Sequence, residues 1–230
     1  MSNSQSRTYP VFTIWLYPRR TIRAILDTNP KRHVVLLAAL GGIATSADSA
    51  IGRRFGDFLS PPAIAVLVFI IAPIGGVLTL YIGGWLLRIT CSWLGGTASQ
   101  TSVRAALAWS NIPQIVSALV TIPPSLIIHR SELFSSATPS LDALIQSSSS
   151  LALVTTFVLL AIGVVSLIMA VWSILITVKC VAEAHRFSAW RALFAFLLAG
   201  CLVAIPIAII VAVASGVVWR HPYFRPPIAN

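Results

Sequence analysis

Charged side chains are scarce in this sequence, and acidic side chains are the scarcest. Asp and Glu together number 6 in 230 residues, and all charged residues make up 10% of the chain, whereas a soluble domain has about a quarter. So few ionisable groups cannot cover a water-soluble globule, and lipid is therefore expected to surround most of the chain. The shortage also leaves little material for acid and base catalysis.

Cysteines and catalytic motifs are also few or missing. The 3 cysteines, Cys91, Cys180 and Cys201, are far apart and predict neither a disulfide framework nor a zinc site. The sequence has no His-Glu-x-x-His, no Gly-x-Ser-x-Gly and no phosphate-binding glycine loop. The 4 histidines do not have the spacing of metal ligands. We therefore expect no enzyme activity, no metal and no cofactor.

Long apolar runs are what the sequence has in abundance. Hydrophobic residues make up 57% of the chain, and the mean hydropathy is +0.89. A helix needs about 20 apolar residues to cross a hydrocarbon core about 30 Å thick, and five runs are long enough: about 33–52, 63–87, 105–128, 151–178 and 192–219. Because these runs are uniformly apolar and do not alternate, they do not predict barrel strands.

The predicted fold class is therefore all-α: a polytopic membrane protein with a bundle of five transmembrane helices. The bundle is expected to occupy residues 33–219, between a cytoplasmic arm of residues 1–32 and a short tail of residues 220–230. With these five spans, eleven of the 16 Lys and Arg residues fall on the side of the arm and five on the opposite side. This bias predicts a cytoplasmic N-terminus and an external C-terminus.

The net charge of +10 does not indicate a nucleic-acid partner. The basic residues are distributed over the connections between spans, as the insertion rule requires, and they do not form a patch with interleaved aromatic residues.

The arm contains a predicted amphipathic helix within "YPRRTIRAILDTNP". Pro18 suits a first helical turn, and Asn29-Pro30 ends the pattern. One face carries Ile22, Ile25 and Leu26, and three arginines lie mostly on the other: Arg19, Arg20 and Arg23. We predict that this interfacial helix lies on the inner leaflet with its arginines near anionic headgroups. The alternative is that the basic residues serve only as a topology signal.

Small residues recur at helical spacing in the first two spans. They are Ala38, Gly42, Ser46 and Ala50 in the first span, and Ala72, Gly76 and Gly84 in the second. Such lines allow helix backbones to approach closely in lipid, where apolar side chains gain nothing by meeting each other. We interpret these lines as packing seams, with a transport path along one of them as the alternative.

A polar segment, "GGTASQTSVRAALAWSNIPQI", precedes and enters the third apolar run. Gly95-Gly96 breaks the chain, and Thr97 or Ser99 can cap a new helix. Arg104 can reach the cytoplasmic headgroups, but Asn111 lies about 10 Å deeper and is expected to face the bundle. This pattern predicts an inward-facing polar notch, which is either a hydrogen-bonded kink or a pocket for a lipid, substrate or partner.

The candidate notch residues share the cytoplasmic half of the bundle: Arg104, Asn111, Gln114, Trp172, Lys179 and Glu183. Lys179 and Glu183 are one helical turn apart and are expected to form a pair that is worth a few tenths of a kcal/mol when exposed.

Three segments resemble the bacterial branch of the Yip domain family, which is named for the Ypt-interacting proteins. They are the Gly-Gly-Thr segment leading to "AWSNIPQ", the span ending in "VWSILITVKCVAEAHRFSAWRALF", and the arm "IWLYPRRTIRAILDTNP". The resemblance covers about Val11 to Trp219. It implies a multi-pass protein of the bacterial inner membrane, with five helices and a cytoplasmic N-terminus.

The family also bears on the partner. Eukaryotic members bind prenylated Rab-type GTPases, and bacterial members have no settled activity. The chain lacks the long acidic, Gly- and Pro-rich cytosolic region of the eukaryotic members, which argues against a GTPase partner.

Two functions follow from these patterns. The first is a non-enzymatic scaffold or adaptor, whose basic face contacts lipids, a second copy of the chain or another membrane protein. This function predicts a packed bundle with no continuous cavity. The alternative is a transporter or scramblase for a lipid or small amphiphile, acting through a notch around Arg104, Asn111 and Lys179. It predicts a hydrophilic groove reaching from the notch toward the outer leaflet.

Overall fold

The computed structural model describes residues 10–129, 134 and 150–220. The described part is helical and contains no strand: α1 (Pro10–Leu16), α2 (Pro18–Thr28), α3 (Val34–Gly52), α4 (Pro61–Val66), α5 (Ala72–Trp93), α6 (Gln100–Ser110), α7 (Ile112–His129), α8 (Ser150–His185) and α9 (Ala189–Arg220). A short 3₁₀ turn, Phe55–Asp57, follows α3, and a π-helical segment, Leu67–Ile71, joins α4 to α5. The start of the predicted arm and most of the predicted tail lie outside the described residues.

Five helical spans are long and apolar enough to cross a membrane: Val34–Gly52, Pro61–Trp93, Gln100–Pro124, Leu153–His185 and Ala189–Ala214. The predicted all-α fold with five spans is therefore confirmed. Consecutive spans run in opposite directions, so the bundle has two ends. We call the end that holds α2, Trp93, Gln100 and His185 the arm end, and the end that holds Gly52 and Pro61 the far end.

Helices α5 and α8 extend beyond the apolar runs that predicted them. Helix α5 continues past Leu87 to Trp93, and α8 continues past Val178 to His185. The helices therefore continue through polar residues that lie beyond the apolar runs. Helix α6 begins after Ser99, whose Oγ accepts a hydrogen bond from the Ser102 N–H at 3.1 Å.

Helices α3 and α5 cross at two glycines. A Cβ added to Gly42 would lie 2.8 Å from the Gly76 Cα, and a Cβ added to Gly76 would lie 2.8 Å from the Gly42 Cα. Only glycine permits this approach, because any side chain would collide with the opposite backbone. The two small-residue lines therefore meet at this crossing.

The buried core lies mainly at the arm end of the bundle. Helix α6 packs against α5 and α8, α7 packs against α3 and α8, and α9 packs against α5 and α8. Ala192 and Ala195 of α9 belong to this core, but every side chain of α9 from position 201 to 214 is exposed. The far half of α9 therefore contributes nothing to the core of the described chain.

The arm folds as two helices that pack on the bundle. Helix α2 contacts α8 and α6, and Ile22 and Ile25 are buried in the same cluster as Cys180 and Val181. The apolar face of the predicted interfacial helix is thus covered by protein. The reason is the extension of α8, which gives α2 a helical surface to pack against. The exposed large apolar side chains of the arm lie instead on and just after α1: Val11, Phe12, Leu16 and Tyr17.

Candidate functional site

A groove of about 810 Å³ runs along the bundle between the spans. Helices α3, α5, α6, α8 and α9 all contribute to its walls. The lining residues include Gly41, Thr45, Ser46, Ser49, Arg53, Leu67, Ile71, Gly75, Thr79, Gly83, Leu87, Ser110, Asn111, Thr177 and Phe196. We call this cavity the groove.

The groove follows much of the length of the second span. Its lining extends along one continuous span from Leu67 to Leu87, which at about 1.5 Å per residue is about 30 Å, the thickness of a hydrocarbon core. The lining residues thus extend over a length close to that of a hydrocarbon core, and the groove has the volume of a site for a small ligand.

The α3 wall of the groove is polar, whereas parts of the α5 and α9 walls are apolar. Thr45 donates its hydroxyl proton to the carbonyl oxygens of Gly41 and Gly42, at 2.9 and 3.2 Å. Ser110 donates to the Leu107 carbonyl at 2.8 Å, and Thr177 donates to the Ser173 carbonyl at 2.7 Å. Because these protons are held by the backbone, the three hydroxyl oxygens remain as acceptors toward the groove.

Arg53 lines the groove at the far end, just after the last residue of α3. It brings a positive charge and several N–H donors to that end. The groove thus combines a cation at one end with hydroxyl groups and apolar side chains along its length. This combination suits an amphiphile better than a purely polar solute or a purely apolar one.

Asn111 lies in the groove wall at the break between α6 and α7. Its amide fills the space that Gly41 leaves open, since a Cβ at Gly41 would lie 2.6 Å from the Asn111 Nδ2. Of the six predicted notch residues, only Asn111 lines the groove. The structure does not bring the six side chains into one notch.

Two of the other predicted residues contact different partners within the bundle. Gln114 donates from Nε2 to the Asp48 Oδ2 at 2.6 Å, which joins α7 to α3. Arg104 places its guanidinium carbon 4.0 Å from the centre of the Tyr81 ring on α5. Neither Gln114 nor Arg104 is among the groove-lining residues.

The remaining predicted notch residues lie on α8. Trp172 is 38% exposed on the outside of the bundle, and Lys179 is also exposed. Glu183 forms an ion pair with Arg23 of the arm. The predicted pair of Lys179 with Glu183 is thus replaced by a contact between α2 and α8, because the packed arm brings Arg23 closer.

The three predicted headgroup-binding arginines have different surroundings. Arg19 and Arg20 are exposed, and the Arg20 guanidinium lies 5.6 Å from the Tyr17 ring centre. Arg23 donates from Nε to the Glu183 Oε1 at 2.8 Å, and its Nη2 contacts the same oxygen. This hydrogen bond, together with the charge of Glu183, raises the pKa of Arg23 above its ordinary value. Arg19 and Arg20 are the arginines left free to meet a lipid or a partner.

Sequence reasoning found part of the groove and missed its far end. The small-residue lines contain Gly42, Ser46 and Gly76, which the structure places in the groove as well as in the packing seam. Ser49 and Arg53 were missed. Their spacing from Ser46, three and then four residues, continues the same helix face and could have extended the line.

The described residues contain no group of His, Cys, Asp and Glu side chains that could hold a metal ion.

Five apolar spans around a lined groove define a multi-pass integral membrane protein. A family model described as the Yip1 domain matches residues 12–213. The chain therefore belongs to the Yip1 domain family. No curated protein and no solved structure matches the chain.

Proposed function

We propose that this protein is a non-enzymatic transporter or scramblase that moves a lipid or similar amphiphile along the groove. The single observation that carries the proposal is the length of the groove, which spans about 30 Å from Leu67 to Leu87. A scaffold needs no such cavity. The polar residues that serve the path are Asn111, Arg53 and the hydroxyl groups between them. Of the three residues predicted for transport, Arg104, Asn111 and Lys179, only Asn111 belongs to this path.

The walls of the groove can lower the cost of moving a headgroup through the hydrocarbon. A polar group that enters lipid without partners loses several kcal/mol of hydration. Thr45, Ser46 and Ser49 on α3 supply replacement hydrogen bonds in steps of one and three residues, and Asn111 supplies an amide. The acyl chains can remain in the bilayer beside the exposed half of α9.

We further propose that the protein lies in a bacterial inner membrane with the arm end in the cytoplasm. The excess of Lys and Arg on the arm side supports this orientation. In this orientation Arg53 lies at the outer leaflet, where it can meet the phosphate of a lipid that enters or leaves the groove.

Two glycines allow the groove to be blocked without disturbing the packing. Gly75 and Gly83 line the groove, and a Cβ added to either meets no atom within 4 Å. In liposomes that contain a fluorescent phospholipid and a membrane-impermeant quencher, Gly75→Leu and Gly83→Leu are expected to slow lipid exchange between leaflets. An obstacle costing about 1–3 kcal/mol slows exchange about 5-fold to 150-fold.

The matched control is Gly163→Leu. Gly163 also meets nothing within 4 Å of an added Cβ, but it lies on α8 outside the groove. It should leave the exchange rate unchanged. Wild-type protein that exchanges lipid no faster than protein-free liposomes would contradict the proposal, and so would equal effects of all three leucine variants.

A scaffold or adaptor function is the second candidate, and the exposed arm is the observation that favours it. Arg19 and Arg20 at the start of α2 and Phe12 and Leu16 on α1 are all exposed. This basic and apolar surface suits anionic lipids, a second copy of the chain or another membrane protein. If wild-type protein exchanges no lipid but retains a reproducible partner that Arg19→Glu with Arg20→Glu abolishes, the scaffold is favoured.

A further inference from the structure

Arg104 has no acidic partner in the part of the chain that the structure describes. Its guanidinium stacks on the face of Tyr81, at 4.0 Å, and its Nε is buried without a hydrogen-bond partner. The ion pair found among the residues that the structure describes joins Arg23 to Glu183. A stacked guanidinium keeps the edge of its planar fork available for an anion.

Gln100 lies one turn before Arg104 on α6 and is also left without partners. Both its Nε2 and its Oε1 are buried and make no hydrogen bond. Gly84 of α5 faces both residues: an added Cβ there would lie 3.3 Å from the Arg104 Cγ and 3.8 Å from the Gln100 Nε2. Because Gly84 has no side chain, Arg104 and Gln100 can lie against α5. Buried polar groups that make no hydrogen bond raise the free energy of the folded protein unless a ligand supplies the missing partners.

The cluster lies beside an exposed face of α5 and is not part of the groove lining. Tyr81, Trp85 and Arg88 follow one exposed face of α5 toward the arm end. Exposed Tyr and Trp side chains favour the level of the lipid headgroups. Neither Tyr81 nor Arg104 lines the groove. We call Tyr81, Arg88, Gln100 and Arg104 the Arg104 cluster.

We propose that the Arg104 cluster binds the phosphate group of a glycerophospholipid in the leaflet at the arm end. The planar fork of an arginine matches two phosphate oxygens, and the Tyr81 ring fixes its orientation. The Gln100 amide is buried, so its side chain must turn outward to reach the headgroup, where it offers a donor to the phosphate and an acceptor to an ammonium or hydroxyl group. Arg88, two turns nearer the arm end than Tyr81 on α5, adds a second positive charge.

This site holds a lipid from the outside of the bundle and does not depend on passage along the groove. The bound lipid is expected to remain attached to the outer surface where α5 and α6 meet, as a structural lipid. Lipid binding at the Arg104 cluster can therefore be tested independently of lipid exchange along the groove.

Native mass spectrometry of the full chain in detergent tests the proposal. The probes are a phosphatidylethanolamine, a phosphatidylglycerol, a diacylglycerol with the same acyl chains, and inorganic phosphate. Both phospholipids should bind, and the diacylglycerol should bind at least about tenfold more weakly, because it lacks the charged hydrogen bonds of the phosphate. Inorganic phosphate should not displace the phospholipids.

Variants assign the binding to the cluster. Arg104→Gln should weaken phospholipid binding about tenfold to a hundredfold, and Arg104→Lys should weaken it less because it keeps the charge but loses the fork. Tyr81→Leu, at an exposed position that should tolerate the change, should weaken binding about fivefold. Lys179→Gln is the control: it removes one exposed charge from the same end of the bundle and should leave binding within about twofold.

Equal binding of phospholipid to wild type, Arg104→Gln and Tyr81→Leu would overturn the proposal. Equal binding of the diacylglycerol and the phospholipids would do the same. Displacement by inorganic phosphate would show that the cluster is an anion site and not a lipid site, and it would also reject the proposal.

Discussion

Glu183 and Arg23 are 160 positions apart in the chain, yet they form the described ion pair that fixes the arm to the bundle. Asp48 behaves in a similar way, because it accepts a hydrogen bond from Gln114 across two helices. In a chain with so few acidic residues, these two carboxylates each join separate elements. Both partners, Arg23 and Gln114, are far away in the sequence from the carboxylates that they contact.

Loss of the Glu183 carboxylate is expected to release the arm. In the Glu183→Gln variant, Arg23 loses its charged partner, and α2 should separate from α8 more often. Limited trypsin digestion of the purified protein measures this, because Arg19 and Arg20 are exposed and open to cleavage once the arm detaches. We expect cleavage several-fold faster than in the wild type. Lys179→Gln, which removes a charge one turn away on α8, should digest at the wild-type rate.

The same pair predicts how the arm responds to alkaline pH. Glu183 raises the pKa of Arg23, so the contribution of the pair is fully present below the ordinary pKa of arginine and is lost only as pH rises through the raised value. Cleavage by trypsin should therefore show no loss of arm protection between neutral pH and about pH 10. A release of the arm near pH 8 would show that another group controls it.

At the scale of elements, the two arm helices differ: α2 packs its apolar residues on protein, whereas apolar residues of α1 are exposed. Ile22 is fully buried in the core cluster, whereas Leu16 of α1 is exposed. Ile22→Ala should cost about 2–5 kcal/mol of the contact between arm and bundle, which appears as faster trypsin cleavage at Arg19 and Arg20 and as a lower midpoint of thermal unfolding. The matched Leu16→Ala variant in detergent should leave both unchanged.

The opposite result would assign the arm to the membrane surface. If Leu16→Ala released the arm from liposomes and Ile22→Ala did not, the exposed apolar residues of α1 would be its main attachment. The two variants remove similar numbers of carbon atoms from the same arm, so the comparison does not depend on the amount of apolar surface lost.

At the scale of the whole molecule, the five spans place the two ends of the bundle on opposite sides of the membrane. Cys91 and Cys180 are buried, so replacing Cys201 with Ser leaves a background suited to labelling. In this background, an impermeant maleimide should label a Phe58→Cys variant in intact bacterial cells. A Lys31→Cys variant should be labelled only after the membrane is opened, because the basic arm is expected in the cytoplasm.

Labelling of both variants from the same side would contradict the five-span arrangement. Labelling of Lys31→Cys alone in intact cells would reverse the proposed orientation, and it would move Arg53 to the cytoplasmic leaflet. The groove itself would be unaffected, since its lining does not depend on which side is the cytoplasm.

The sequence alone was enough to predict the helical class and the five spans. Backbone groups in lipid must be paired within each segment, so long apolar runs can only be helices or barrel strands, and uniform runs exclude strands. The break before α6 was also predictable, because Gly95-Gly96 and a capping serine at Ser99 are local signals. These features depend on neighbours a few residues away.

The contents of the groove and the partners of the charged residues were decided by tertiary structure. Asn111 was correctly singled out as polar and deep, but its place in the wall depends on Gly41, seventy positions earlier in the chain. Glu183 was paired with Lys179 by helical spacing, but Arg23 reached it because α2 packs on an extension of α8. Spacing along one helix determines which side chains share a face, whereas contacts between helices depend on how those faces meet. Only the packed bundle specifies that.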